Sequence, residues 1–105
     1  MQPDPEVLKH LVRQIVEVAH PLRIYLFGSA ARGEMGPDSD LDFLVVMPEG
    51  THRRRTAQRL YRQLVGSRQP FDVLVATPSD LEKHKSTGGL IYRDVMREGR
   101  EVYAA

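Results

Sequence analysis

The sequence predicts an α/β fold, a small sheet with helices packed against it, from three observations. Stretches with helical apolar spacing alternate with short apolar runs along the chain. Glycine or proline punctuates nearly every junction between them. One run, Leu41 to Met47, is apolar at every position but Asp42, as in a strand covered on both faces. At 105 residues the chain is expected to form one domain, 1–105, with enough length for an ordinary core.

The first helix is predicted to start after Asp4, which can cap it. Pro5 suits the first helical position, and Glu6 complements the dipole. Val7, Leu8, Leu11, Val12, Ile15, Val16 and Ala19 then recur on one face, and Pro21 closes the element. Leu22 to Phe27 reads as a strand. Gly28 to Ser39 carries three glycines and a proline, so it is a turn-rich connection, with Gly28-Ser29 opening a short helix. Leu41 to Met47 is the second strand, ended by Pro48 and Gly50. Thr51 can cap a second long helix reaching about Val65, with Ala57, Leu60, Tyr61 and Leu64 on one side. After Gly66, Ser67 and Pro70, Phe71 to Ala76 forms a third strand. Pro78-Ser79-Asp80 opens a short helix toward Lys85, Leu90 to Glu98 is expected to be helical, and Glu101 to Ala104 adds an edge strand.

Composition excludes several classes of function. The formal net charge is +1, so bulk charge points to neither nucleic acid nor membrane. The chain has no cysteine, which removes disulfide scaffolds, thiolate metal sites and cysteine nucleophiles, and suits a reducing, cytoplasmic setting. No apolar run approaches a membrane span, and the acidic N-terminus lacks the apolar core of a signal peptide.

The chemistry concentrates between Gly28 and Asp42. Asp40 and Asp42 lie two apart at the start of a strand, so their side chains share a face, roughly 7 Å apart along it. Two carboxylates so placed repel unless a cation lies between them, and such an oxygen-rich pair suits magnesium or manganese. A solvated strand end would look the same, so the pair alone does not decide. The preceding Gly28-Ser29 turn offers free backbone N–H groups and a hydroxyl to an anion, and Arg32 could add a phosphate contact. A phosphate cradle followed closely by a divalent-metal pair is what metal-bound triphosphate chemistry requires.

Three other motifs fail. Gly28 to Gly33 has P-loop glycine spacing, but Glu34-Met35 stand where Lys and Ser/Thr are needed. Asp38, Asp40, Asp42 and Glu49 match positions of a calcium loop, but Phe43 occupies the obligatory glycine position. No G-x-G-x-x-G occurs. A third carboxylate is wanted for two-metal chemistry. Asp72, in the third strand, is the best candidate if that strand lies beside the second; all three aspartates should then meet at one end of the sheet.

The segments Gly28-Ser29-Ala30-Ala31-Arg32-Gly33 and Ser39-Asp40-Leu41-Asp42-Phe43-Leu44-Val45 resemble the signature of the DNA polymerase β-like nucleotidyltransferase superfamily. The resemblance is closest to the minimal nucleotidyltransferases that occur beside HEPN-domain partners, and the order of elements extends it over nearly the whole chain. It implies a small mixed β-sheet with packed helices, of polymerase β palm type. It implies that Asp40, Asp42 and Asp72 are catalytic and hold two Mg²⁺ (or Mn²⁺) ions. Gly28 and Ser29 would bind the triphosphate, with Arg32 as a further phosphate contact. The implied activity is transfer of AMP from ATP to a hydroxyl of a HEPN-type toxin, with this chain as antitoxin. Two alternatives stand beside it: an antitoxin or assembly protein acting by binding alone, and a small-molecule nucleotidyltransferase.

Other features have plainer readings. Arg53, Arg54, Arg55, Arg59, Arg62 and Arg68 form a basic stretch with no acid between Glu49 and Asp72. It reads as a solvated helix face, with an acidic partner or a nucleic-acid backbone as alternatives; with no aromatic interleaving beyond Tyr61, base stacking is not favoured and a nucleic-acid partner is not expected. His10, His20, His52 and His84 lack metal-ligand spacing. Tyr92 and Tyr103 suit core or interface positions, Arg93 and Arg97 suit a solvated helix face, and Ser86 to Gly89 suits a loop. A homo-oligomer stays open.

Overall fold

The computed structural model describes residues 3–36, 39–64, 66–84, 95 and 97–105. The elements are α1 (Pro5–Ala19), β1 (Arg23–Phe27), α2 (Gly28–Ala31), β2 (Leu41–Val46), α3 (Arg53–Gln63), β3 (Phe71–Ala76), α4 (Pro78–His84) and β4 (Arg100–Ala104). The strands form a mixed sheet in the order β3-β2-β1-β4. β1 runs antiparallel to β2 and β4, and β2 runs parallel to β3, with α3 as the crossover. The sequence expectation for Leu90 to Glu98, the Ser86 to Gly89 loop, Tyr92 and Arg93 lies largely outside the described residues. Within that stretch, Val95 is buried in a helical turn.

Alternation along each strand separates two faces. Ile24, Leu26, Leu41, Phe43, Val45 and Val75 point to one face, where Leu11, Ile15 and Ala19 of α1, Leu60 of α3 and Leu64 just past its end seal them. Leu44, Val46 and Ala76 point to the other, with Val95 and Leu81 packed there. Both faces of β2 are therefore dry over most of its length, as its apolar run predicts: all its residues are buried except Asp42. Burial of side chains such as Phe43 and Leu44 contributes about 1.5–3 kcal/mol each. No helix among the described residues is long and apolar enough to cross a membrane.

The helix starts show which local signals win. At α1, Asp4 accepts from the Glu6 N–H at 2.9 Å and Pro5 opens the helix, as expected. At α3 the expected Thr51 cap is replaced by His52, whose Nδ1 accepts from the Arg55 N–H at 3.1 Å. Thr51 instead donates to the Pro48 carbonyl at 2.7 Å, because the Pro48–Gly50 turn brings that oxygen back within reach. At α4, Thr77 and Asp80 cap each other reciprocally across Pro78. α3 ends at Gln63, with Leu64 as its cap. The basic stretch on α3 is exposed, with two of its arginines engaged. Arg53 pairs with Asp80 at 2.9 Å, and Arg59 donates to the Val18 carbonyl at 2.7 Å, tying α3 to α1.

Candidate functional site

β2 and β3 both begin at the same end of the sheet, and their second residues, Asp42 and Asp72, are register partners. Parallel neighbouring strands lie about 4.8 Å apart, so the two carboxylates stand side by side. They share the sheet face of Leu44, Val46, Leu74 and Ala76. Asp40 lies just before β2, near enough for its charge to act on Asp42. The three aspartates thus gather at one end of the sheet. Among the described residues, no set of three ligand-type side chains is drawn tightly enough to close a metal cage by itself.

The electrostatics are those of crowded like charge. The Asp42 carboxyl is pushed up, first by partial burial, then by the neighbouring charges of Asp72 and Asp40. No hydrogen bond from a described residue relieves it. Phe27 of β1 pairs across the sheet with Asp42 and walls it on the other side. The chain then turns at Gly28 with φ +73°, and α2 begins. A Cβ on Gly28 would collide with the Asp42 Oδ2 and would lie 3.4 Å from its Cγ. Glycine is required there twice over, for its conformation and for the approach of backbone to carboxylate. Ser29 follows, partly exposed, its backbone carbonyl accepting from the Glu34 N–H.

Arg32 is placed differently from the expectation of a free phosphate contact. Its guanidinium meets Glu34 at 3.1 Å and Glu98 at 3.5 Å, both at the surface. A triphosphate would have to compete with two carboxylates for it. An open cleft of about 620 Å³ between the first turns of α1 and the 66–69 turn includes none of the three aspartates.

One residue at the site escapes sequence reasoning. Tyr61, near the end of α3, reaches round the open edge of β3. Its ring stacks on Phe71, with centroids 5.5 Å apart and planes at 15°. Its hydroxyl accepts the Val73 N–H at 2.8 Å and donates to Asp72 Oδ1 at 3.3 Å. Partial burial pushes the phenol pKa up; the Val73 N–H opposes this, and the charges of Asp72 and Asp42 add to it. Helical spacing places Tyr61 beside the apolar Leu60 and Leu64, and nothing local marks its hydroxyl for an edge strand eleven residues on.

The hard-oxygen donors, their mutual repulsion and the lack of a described cation beside Asp42 fit a divalent metal of the magnesium or manganese type.

Comparison with known proteins bears on the family and the fold. The nucleotidyltransferase domain family matches residues 7–102. A candidate nucleotidyltransferase from Sulfolobus solfataricus superposes with a TM-score of 0.63 at 20% identity, over 94% of this chain and 78% of that one. A mutant of the toxin–antitoxin complex MntA-HpeT superposes at 0.60 with 18% identity, over 98% and 75%. A toxin–antitoxin structure with AMP-PNP superposes at 0.55 with 22% identity, over 92% and 73%. At such identities these likenesses show the fold. A comparison with curated proteins finds no match.

Proposed function

Since the chain belongs to the nucleotidyltransferase domain family, we propose that it moves a nucleoside monophosphate, AMP from ATP, onto a hydroxyl of a partner protein. The observation that carries this reading is the pairing of Asp42 with Asp72 in register, opposite a glycine at which any side chain would be strained. Asp40, Asp42 and Asp72 would hold Mg²⁺ or Mn²⁺. When bound, the metals would neutralise phosphate charge and stabilise the attacking and leaving oxygens. The residues of the chain then have distinct tasks. Gly28 lets the backbone turn tightly beside Asp42, so that Ser29 can offer its hydroxyl and N–H to the triphosphate. Phe27 and the dry face behind Asp42 exclude water on that side, which strengthens every charge interaction there. Asp72, exposed at the mouth, is the carboxylate best placed to accept the proton of an incoming hydroxyl. Arg32 would join the phosphate only by leaving Glu34 and Glu98.

The toxin–antitoxin complexes among the structural neighbours, one of them holding AMP-PNP, support an adenine nucleotide and a toxin partner. A HEPN-type toxin as acceptor, with this chain as antitoxin, is the specific form of the proposal. The test is incubation of the purified chain with labelled ATP, Mg²⁺ and the product of the neighbouring gene. Label should appear on the partner and disappear with the double variant Asp40→Asn, Asp42→Asn. If that variant still neutralises the partner in cells, the protein acts by binding alone and the enzymatic reading is wrong. Rapid labelling of a sugar or antibiotic by the isolated chain would point to a small-molecule acceptor instead.

A further inference from the structure

We propose that Tyr61 is a positioning residue that fixes the carboxylate of Asp72 at the mouth of the site, an inference that rests on the proposed role of Asp72. Asp72 lies exposed on β3, an edge strand, and among the described residues no further strand flanks it on its outer side. A free carboxylate in that position would rotate. Tyr61 supplies the missing support from α3. Its ring is held by the stack on Phe71, and its oxygen is held by the Val73 N–H. A phenol has one proton to give. Because the Val73 N–H already donates to the Tyr61 oxygen, the hydroxyl proton is left for Asp72 Oδ1. That bond occupies one carboxylate oxygen and leaves Oδ2 directed to other partners. Outer residues that orient a metal-binding carboxylate commonly matter as much as the ligand's own packing.

The alternative is that the hydroxyl merely covers the sheet edge. Tyr61→Phe separates the two, since it keeps the ring and its stack, while water can replace the hydroxyl on the exposed Val73 N–H. Mn²⁺ affinity, measured by titration calorimetry with the metal alone, is compared in four full-length proteins: wild type, Tyr61→Phe, Asp72→Asn and the double variant. Tyr61→Phe should weaken Mn²⁺ roughly tenfold in the wild-type background and change nothing when Asp72 is already Asn. Where the nucleotidyl transfer assay is running, kcat should fall by a similar factor with KM for the triphosphate within about twofold. Equal Mn²⁺ affinity of wild type and Tyr61→Phe would overturn the inference, as would an equal loss in both backgrounds, which marks a purely structural role. A nucleotidyl adduct on Tyr61 itself, seen by mass spectrometry, would also overturn it by making the residue an acceptor. If Asp72→Asn binds Mn²⁺ as wild type does, the reading of the site is at fault, and not only the role of Tyr61. Should Tyr61→Phe fold poorly, Phe71→Leu offers a second variant. It loosens the ring while keeping the hydroxyl, and should weaken Mn²⁺ only while Asp72 is present; no loss would overturn the inference.

Discussion

The two ends of the parallel β2–β3 pair each hold a partly buried carboxylate, and the two are treated in opposite ways. Beyond the C-terminal end of β3, partial burial would push Asp80 up. The Thr77 N–H and hydroxyl and the Arg53 guanidinium outweigh that and hold its carboxyl below the usual value. At the N-terminal end, Asp42 meets burial and two like charges, and its carboxyl is pushed up. The same strands thus deliver one acid to donors and another to neighbours that repel it. An acid supplied with donors is serving the fold. An acid crowded with other acids weakens the fold, and the proposed metal role would account for its place there.

The sharpest way to break this contrast is to supply the cation. Millimolar Mg²⁺ or Mn²⁺ should raise the melting temperature of the wild type, by about 2.7 kcal/mol of stability once the free metal reaches about a hundred times Kd. Asp42→Asn should lose that response and, without metal, should be more stable than wild type at neutral pH, because repulsion and desolvation of its charge are removed. A calorimetric scan of both proteins with and without metal checks both outcomes.

Gly28→Ala probes the closeness of backbone to carboxylate. The positive φ and the collision with Asp42 should together cost about 1–3 kcal/mol. Denaturant unfolding would show this as a lower midpoint, and the variant should bind metal more weakly because Asp42 must move. An alanine at position 28 that changes neither midpoint nor metal affinity would mean that the turn is more adaptable than it looks.

Asp80→Asn tests the other end and should have the smallest effect, about 1 kcal/mol lost at neutral pH. An acid whose folded pKa lies below its unfolded one stabilises the fold above the unfolded value. That contribution fades as pH falls through the folded value. The gap between wild type and Asp80→Asn should therefore close on acidification below the ordinary aspartate range. A gap that stays constant with pH would assign the effect to shape rather than charge.

Much of this was legible from residue order. Asp42 stands out because it interrupts an apolar run, and Gly28 because it ends a strand and opens a helix. The long helix between two apolar strands suggests that β3 lies parallel beside β2, but the register that pairs Asp42 with Asp72 is visible only in the structure. What escaped depends on contacts outside the local chain. The role of Tyr61 requires β3 to be the edge of the sheet, which is set by the whole strand order. Arg32 is claimed partly by Glu98, sixty-six residues away. The cap at His52 was missed for a local reason: threonine has the better average record, but at this turn its hydroxyl had a nearer acceptor.

The β2–α3–β3 crossover also sets when the site can exist. Asp42 and Asp72 are 30 positions apart in the chain, yet become neighbours through a single strand pairing. Closing a loop of that size costs on the order of 3 kcal/mol of chain entropy before any contact repays it. Non-local pairings of this kind form slowly compared with helices and hairpins. A nascent chain that has made α1, β1 and β2 therefore already carries Asp40 and Asp42 but not their companion. It gains the third carboxylate only when α3 has folded back and β3 has zipped along β2. Cation affinity should accordingly rise with that pairing during refolding, which makes it a kinetic reporter of the β2–β3 step.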